Sequence, residues 1–491
     1  MKRAITAALA ACGLLLTAGC TDELAVDPTS IITVNSFWKT SDDARGALYG
    51  MYTRFRDQAS QNLYIWGGAR SEELSYGLQA SEGRERYFLN TLDATSAGPD
   101  WLRLYTVVHD ANLILKYVPE VEFGSEAERN AILAEAYAMR AYVYFIMART
   151  WGGVPIVTEP TEGYDQQSAF RERAEVSQVF DLIKADLEQA LALFPDDGFT
   201  DCRCQWSRAA VNALKGDVYL WTAKRGGGGA ADLNTALQAL QQVQDADVAL
   251  LEDFDDIFRY ENKGNAEILM AVRFQDLESA EMYANSMYLR DDQIPVNVDP
   301  ESRELIGVGG GLNRWAPSQV LRDQFSEDDA RKDATFAELY TLDENGDSTF
   351  YASAVTKFRG FVEAGARRFL DDVILYRYAD VLLMIAEARN GLGQDPSTEI
   401  NMVRERAYGD AFQQHRFTSG SQEENDAAIL RERLLELAFE GKRWWDLVRF
   451  GKAFELVPSL QNRAGQDHLL LWPISQSTLS LNSSLEQNPG Y

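Results

Sequence analysis

Between residues 125 and 151 the chain repeats small apolar residues at a helical interval. Ala134, Ala138, Ala141, Phe145 and Ala148 fall on one stripe, and Tyr137, Arg140, Tyr144 and Met147 on the next. Alanine at a crossing lets a second helix approach closely. Gly152-Gly153 stops this helix, and Val154-Pro155-Ile156 forces an extended exit. The same form recurs further on. Residues 207–225 carry Ala210, Leu214, Val218 and Trp221, a turn follows at 226–229, and 231–243 carries Leu233, Leu237 and Leu240. A third block, 375–392 with 397–406, is apolar on more than half its circumference through Leu375, Ala379, Leu382, Leu383 and Ala386. It is expected deep in the stack. Paired helices with small residues at the crossing and an aromatic closing each pair read as tetratricopeptide-like units. The expected fold class is mainly α: a tetratricopeptide-like helical-repeat scaffold, with the number of repeats open.

Two more helices precede these. Residues 41–56 begin with Ser41, Asp42 and Asp43 and bury Ala44, Ala47, Leu48 and Met51, with Phe37-Trp38 stapling the start to the core. Residues 100–117 form the second and end at Pro119; a lone His109 there reads as a core or boundary residue. Helical periodicity fades over 61–99 and 254–372, which mark loop-rich regions carrying short β-hairpins. Asn345-Gly346 between two strand-like runs predicts a two-residue hairpin turn. The body is thus expected over 36–491, with scaffold at 36–250 and 371–450.

The start of the chain reads as an address. Lys2 and Arg3 precede an apolar stretch, 4–18, closed by Gly19-Cys20. LTAGC is similar to a bacterial lipobox with Thr17 in place of the usual aliphatic, which makes 1–19 a signal peptide, Cys20 the lipidated residue and 20–35 a polar tether. Attachment by lipid is anchoring, not spanning. A formal charge of −28 over 491 residues disfavours nucleic acid and anionic lipid and suits neutral or cationic ligands.

Cys202 and Cys204 are the only cysteines after Cys20, and disulfide and free thiols stand as equal alternatives for them. With three histidines in the chain, no metal or cofactor is expected. Asp343, Asn345 and Asp347 imitate an EF-hand start, but Ser348 and Ala354 occupy the positions of its glycine and bidentate glutamate. No nucleophile elbow, zinc-protease motif or phosphate loop occurs. Glu72-Glu73, Asp255-Asp256 and Asp371-Asp372 supply paired carboxylates, but adjacent acids are expected by chance among 75.

RERLLELAFEGKRWWDLVRF, residues 431–450, predicts an amphipathic helix, a bend at Gly441 and a second helix from Trp444. Glu436, Glu440, Arg443, Asp446 and Arg449 are expected to form one solvated or partly buried ion-pair lattice across that bend. This stretch resembles the C-terminal signature of the SusD/RagB family through Glu432, Arg433, Glu436, Leu437, Glu440, Gly441, Arg443, Asp446, Leu447 and Arg449. Arg377, Tyr378, Ala379, Asp380, Leu383, Ala386, Glu387 and Ala388 match a second family helix. Pro473, Ile474, Asn482 and Gln487-Asn488-Pro489-Gly490-Tyr491 match its closing motif, with Ser475 replacing a proline.

The resemblance implies a lipid-anchored outer-membrane protein facing the cell exterior. Such a protein captures oligosaccharide or polysaccharide for a SusC-like TonB-dependent transporter, without catalysis. A protein-binding tetratricopeptide adaptor and a surface glycoside hydrolase are the alternatives. Sugars offer apolar C–H faces and hydroxyl rims, so flat rings beside forked hydrogen-bonding groups are the candidate site. Two clusters qualify: Tyr64, Trp66, Arg70, Glu72 and Tyr76, and then Tyr283, Tyr288, Arg290, Asn313, Arg314 and Trp315 around the glycine run 307–311. Trp315 is expected to be an exposed loop residue, with the glycines letting its loop adapt to a sugar chain.

Overall fold

The computed structural model describes residues 37–80, 83–163 and 170–491; the expected signal, Cys20 and tether lie outside them. Thr40 caps α1 (Ser41–Ala59): its hydroxyl accepts the Asp43 amide, and the Asp43 carboxylate accepts the Thr40 amide. Ahead of it, Trp38 stacks on Tyr117 at 5.4 Å. The scaffold continues with α2 (Leu102–Tyr117), α3 (Glu126–Trp151), α4 (Val176–Leu193), α5 (Arg208–Arg225) and α6 (Gly229–Gln244). Each packs on the next, except that α1 meets α2 and also α3. α7 (Tyr378–Gly391) closes against α6, and α8 (Ser397–Tyr408) and α9 (Gln422–Leu437) pack on α7. The fold is mainly helical, as the repeat pattern predicts. α4 has no counterpart among the helices read from sequence.

α3 sits at the centre. By length and composition it is apolar enough to cross a membrane, yet 83% of that window is buried inside the protein. Its charged residues are consequently matched: Arg140 pairs with Asp186 of α4 at 2.7 Å, and Arg149 with Asp217 of α5 at 3.2 Å. α5 and α6 come together at Gly216, where a Cβ would stand 2.4 Å from the Leu240 side chain.

The strands are short and pair antiparallel in twos. β1 (Leu74–Tyr76) pairs with β3 (Trp315–Pro317), and β2 (Ile268–Val272) with β8 (Val373–Arg377). β4 (Phe336–Leu342) pairs with β5 (Ser348–Val355), and β6 (Phe361–Glu363) with β7 (Ala366–Arg368). Residues 373–377, partly read from sequence as helix, are β8, and α7 begins only at Tyr378. A five-residue run buried at every position carries no periodicity that separates strand from helix. The Asn345-Gly346 hairpin forms, but its connection is longer than two residues: Leu342 pairs with Ser348, and the Asp343 carboxylate accepts the amides of Asn345 and Asp347. Cys202 and Cys204 are joined by a disulfide.

α9 ends at Leu437, and a turn with positive φ at Phe439 and Gly441 leads into α10 (Arg443–Arg449). The turn packs so closely that a Cβ on Gly67 would lie 2.0 Å from the Gly441 carbonyl oxygen. The expected lattice differs in burial and in partners. Arg377 reaches Glu267, Glu436 and Glu440 at 2.7, 2.6 and 2.8 Å, and Lys357 reaches Glu440 at 3.0 Å. Arg331 binds Asp329, Glu432 and Glu436. Asp446 holds Arg433 and Arg449, and Arg449 also holds Glu387. Of the five residues expected to pair among themselves, only Asp446 and Arg449 do so. Every one of the five is buried, so its partner comes from whichever segment covers it. Burial opposes ionisation of Glu436, yet Arg406, Arg377 and Arg331 hold its carboxyl well below the usual carboxylate range.

Candidate functional site

The loop 67–76 crosses the C-terminal turn, and this contact decides the fate of the first expected cluster. Tyr64 is buried and stacks on Tyr283 at 4.7 Å. Trp66 packs edge-on to Trp151 and donates its indole N–H to the Pro99 carbonyl at 3.0 Å. Arg70 is wholly buried; it donates to Asn90 Oδ1 and to the carbonyls of Leu469 and Leu471, with its guanidinium 4.3 Å from the Trp444 ring. Glu72 accepts from Arg443 at 2.5 Å. These four hold the loop to the scaffold and present nothing to a ligand. Of the five, only Tyr76, 57% exposed, is open to solvent.

The second cluster is corrected in the same way. Tyr283 donates its hydroxyl to the Phe439 carbonyl at 2.7 Å, and Tyr288 lies buried with its hydroxyl on the Ile306 carbonyl. Asn313 is buried; its Oδ1 accepts the Leu78 amide at 2.7 Å and its Nδ2 donates to the Ser353 carbonyl. Trp315 is extended and not helical, as Pro317 after Ala316 favours, but it lies in β3 paired with Tyr76 and is only 2% exposed. Its ring lies 6.1 Å from Tyr87 and 6.4 Å from Tyr64, with the Arg84 guanidinium 5.1 Å above it. The glycines serve close packing rather than adaptation: a Cβ on Gly311 would meet the Tyr288 carbonyl oxygen at 2.2 Å. Arg290 and Arg314 stay partly exposed at the rim.

What remains open to solvent is a surface beside Tyr76 and a cleft next to it. The Tyr76 ring is propped edge-on by Phe88 at 5.0 Å, with Leu78, Gln79 and Arg290 alongside; Arg290 donates to Gln79 Oε1 at 3.3 Å. The turn 84–88 joins surface to cleft. Arg84, Arg86 and Tyr87 line an open cleft of about 600 Å3, with Gln61, Asn62 and Gln476 among the opposite walls. That volume suits one or two sugar rings. Arg84, Arg86, Tyr87 and Phe88 were missed by the sequence reading, although GRERYF stands in the loop-rich stretch 61–99 as a compact basic and aromatic run.

Of the paired carboxylates, Asp256 is exposed to solvent and the others are held within the fold. Glu72 is bound to Arg443, Glu73 accepts the Phe439 amide at 3.0 Å, and Asp255 is held by Arg259 and Arg359. Burial raises Asp371 to about 7, where Gly360 donates to it. Among the described residues no group of acids, histidines and cysteines is arranged to hold a metal.

Comparison with known proteins places this geometry. NanU of B. fragilis superposes with a TM-score of 0.82 at 33% identity, covering 95% of this chain and 100% of that one. The chain belongs to the SusD family. The SusD family model matches residues 364–491, which include β8, α7 and the α9–α10 signature. Residues 71–220 match a second model described as starch-binding, associating with outer membrane. Among curated relatives, SusD-like protein P38 of Formosa agariphila is 27% identical over 518 residues, covering 96% of each chain. A laminarin-binding SusD-like protein superposes with a TM-score of 0.76 at 25% identity, over 92% of this chain and 100% of that one. SusD-like proteins of this kind are binding proteins, and carbohydrate is the ligand class their names carry.

Proposed function

We propose that this chain is a cell-surface, lipid-anchored glycan-binding protein that captures oligosaccharide and delivers it to a SusC-like TonB-dependent outer-membrane transporter. The observation that carries the reading is an exposed tyrosine held rigid beside an open, hydrogen-bonding cleft, while the other rings of the two expected clusters are buried. A flat ring gives a sugar its apolar seat, and edge-on contact with Phe88 fixes that ring before ligand arrives. Gln61, Gln476, Arg84 and Arg86 supply the rim that meets hydroxyls. The expected lipidation at Cys20 and the tether to residue 35 would hold this surface away from the membrane. The role is capture without chemistry, since the acids near the loops are engaged in holding the fold.

Laminarin, starch and a panel of neutral polysaccharides titrated by calorimetry test the reading directly. Replacing Tyr76 with Ala is expected to weaken the glycan that binds by about three- to tenfold, the loss of one stacked ring of roughly 0.5–1.5 kcal/mol. The melting temperature should stay unchanged, because the ring is more than half exposed. Unchanged affinity in that variant would remove Tyr76 from the site.

A further inference from the structure

The walls of the cleft are chemically one-sided. This chain carries 75 acidic against 47 basic residues, and two of the other open clefts reflect that excess. One is lined by Asp299, Glu301, Glu304, Glu327, Asp333 and Glu338 with Lys332, another by Glu172, Glu175 and Glu486 with Arg173, while a third has Arg56 and Arg273 beside Glu278. The cleft beside Tyr76 instead has Arg84 and Arg86 and no carboxylate among its described lining residues. Of the acids that flank the 94–99 wall, Asp93 is turned into its own loop, where Thr95 and Ser96 donate two amides and two hydroxyls to its Oδ1, and Asp100 accepts the Leu102 amide and the Thr478 hydroxyl; Glu85, between the two arginines in sequence, does not line the cleft.

Arg86 is the telling residue. Its Nε is shielded from water and has no hydrogen-bond partner, and its guanidinium carbon lies 5.6 Å from the Tyr87 ring centroid. Arg86 nonetheless lines the cleft, and an anionic oxygen is the partner a guanidinium binds most strongly. The planar fork matches the two oxygens of a carboxylate or of a sulfate ester. Gln61 and Gln476, which line the cleft as well, would meet the hydroxyls of the same ring.

We propose that the cleft seats an acidic sugar, its carboxylate or sulfate group on Arg86 with Arg84 beside it, and that the glycan taken up is accordingly anionic. This rests on the glycan-binding reading and narrows its ligand class, against the neutral or cationic ligand that net charge alone suggests. The charges that repel a polyanion elsewhere on the surface are screened beyond about 8 Å at physiological salt, so the local pair of arginines decides.

The test is calorimetry of the purified protein with three polymers: polygalacturonate as the carboxylate probe, carrageenan as the sulfate probe and laminarin as the neutral one. One acidic polymer is expected to bind at least about tenfold more tightly than laminarin, and which one it is separates the two anion sources. Arg86→Gln should lose that advantage by about tenfold or more, and Arg86→Lys, which keeps charge but not the fork, should fall between them. Arg129→Gln, at the start of α3 where it pairs with Glu126 and outside the cleft lining, should change nothing. Binding of neutral polymers without any preference for either acidic one overturns this inference and leaves the glycan reading standing, as does full acidic-polymer affinity in a folded Arg86→Gln variant. Absence of binding to all three and to the wider neutral panel overturns both.

Discussion

Trp315 illustrates how far a residue can be read alone. Pro317 disfavours the helical conformation at Ala316, and the backbone is extended from Trp315 to Pro317. Extension does not decide burial, however. Trp315 is covered because Tyr64, Tyr87 and Arg84, more than two hundred residues away in sequence, close over its ring, and no local pattern announces such contacts. The same holds for Arg70 and Glu72, whose partners are the carbonyls of Leu469 and Leu471 and the guanidinium of Arg443. Tyr76 alone of the two expected ring clusters stays open, at the β1 end where pairing with β3 stops. Trp315→Ala is therefore expected to cost about 3–5 kcal/mol of stability, as for a large core ring truncated to a cavity. Chemical denaturation measures it: a loss below about 1 kcal/mol with a fall in glycan affinity would return Trp315 to the binding surface.

At the scale of elements, the helices were legible and their ion pairs were not. α1, α2, α3, α5 and α6 begin and end within a few residues of the boundaries read from caps, glycines and apolar spacing, because those signals are local. The charges of 432–449 look like a solvated face by spacing alone, and a helix buried on all sides gives the same spacing. What burial adds is dependence on every partner. Glu440 neutralises Arg377 and Lys357 at once, all three with no side-chain exposure, and burial already pulls Lys357 down to about 8. Glu440→Ala should thus destabilise by about 3–5 kcal/mol, since it leaves Lys357 buried without a carboxylate partner and takes one of three from Arg377. An exposed pair would lose about 1 kcal/mol or less, and urea unfolding of the variant discriminates the two. Glycan affinity in the folded fraction should not change, because the lattice holds the loops from beneath and lies away from the cleft.

For the molecule as a whole, the buried carboxylates divide into two groups with opposite effects on stability, and pH reads the balance. Glu436 and Asp380 have carboxyls held well below their ordinary range, and Glu387 lies at about 2; in each, burial is outweighed by buried arginines or lysines. The stability they confer is fully present above the unfolded value near 4.5 and disappears as pH falls toward their folded values. Glu73 and Glu135 behave in the reverse sense. Burial raises both to about 8: Glu73 has only the Phe439 amide and Ser71 to accept from, and Glu135 only the Tyr52 hydroxyl and Gln205. Between about 4.5 and 8 the native state keeps protons that the unfolded chain has released, so stability falls as pH rises, by up to about 1.4 kcal/mol per pH unit for each such group. Thermal unfolding is thus expected to be most resistant at mildly acidic pH, with an acid limb set by the paired carboxylates and an alkaline limb by these two together with Asp371, which burial raises to about 7. Glu73→Gln and Glu135→Gln, which keep shape and remove the titration, should together make the alkaline limb between pH 6 and 8 shallower, leaving the part due to Asp371, with the acid limb in place. A melting temperature that rises steadily from pH 5 to 8 in the wild-type protein would show that both carboxylates are ionised in the native fold and that their sites are wetter than the packing around Tyr64 and Tyr52 implies.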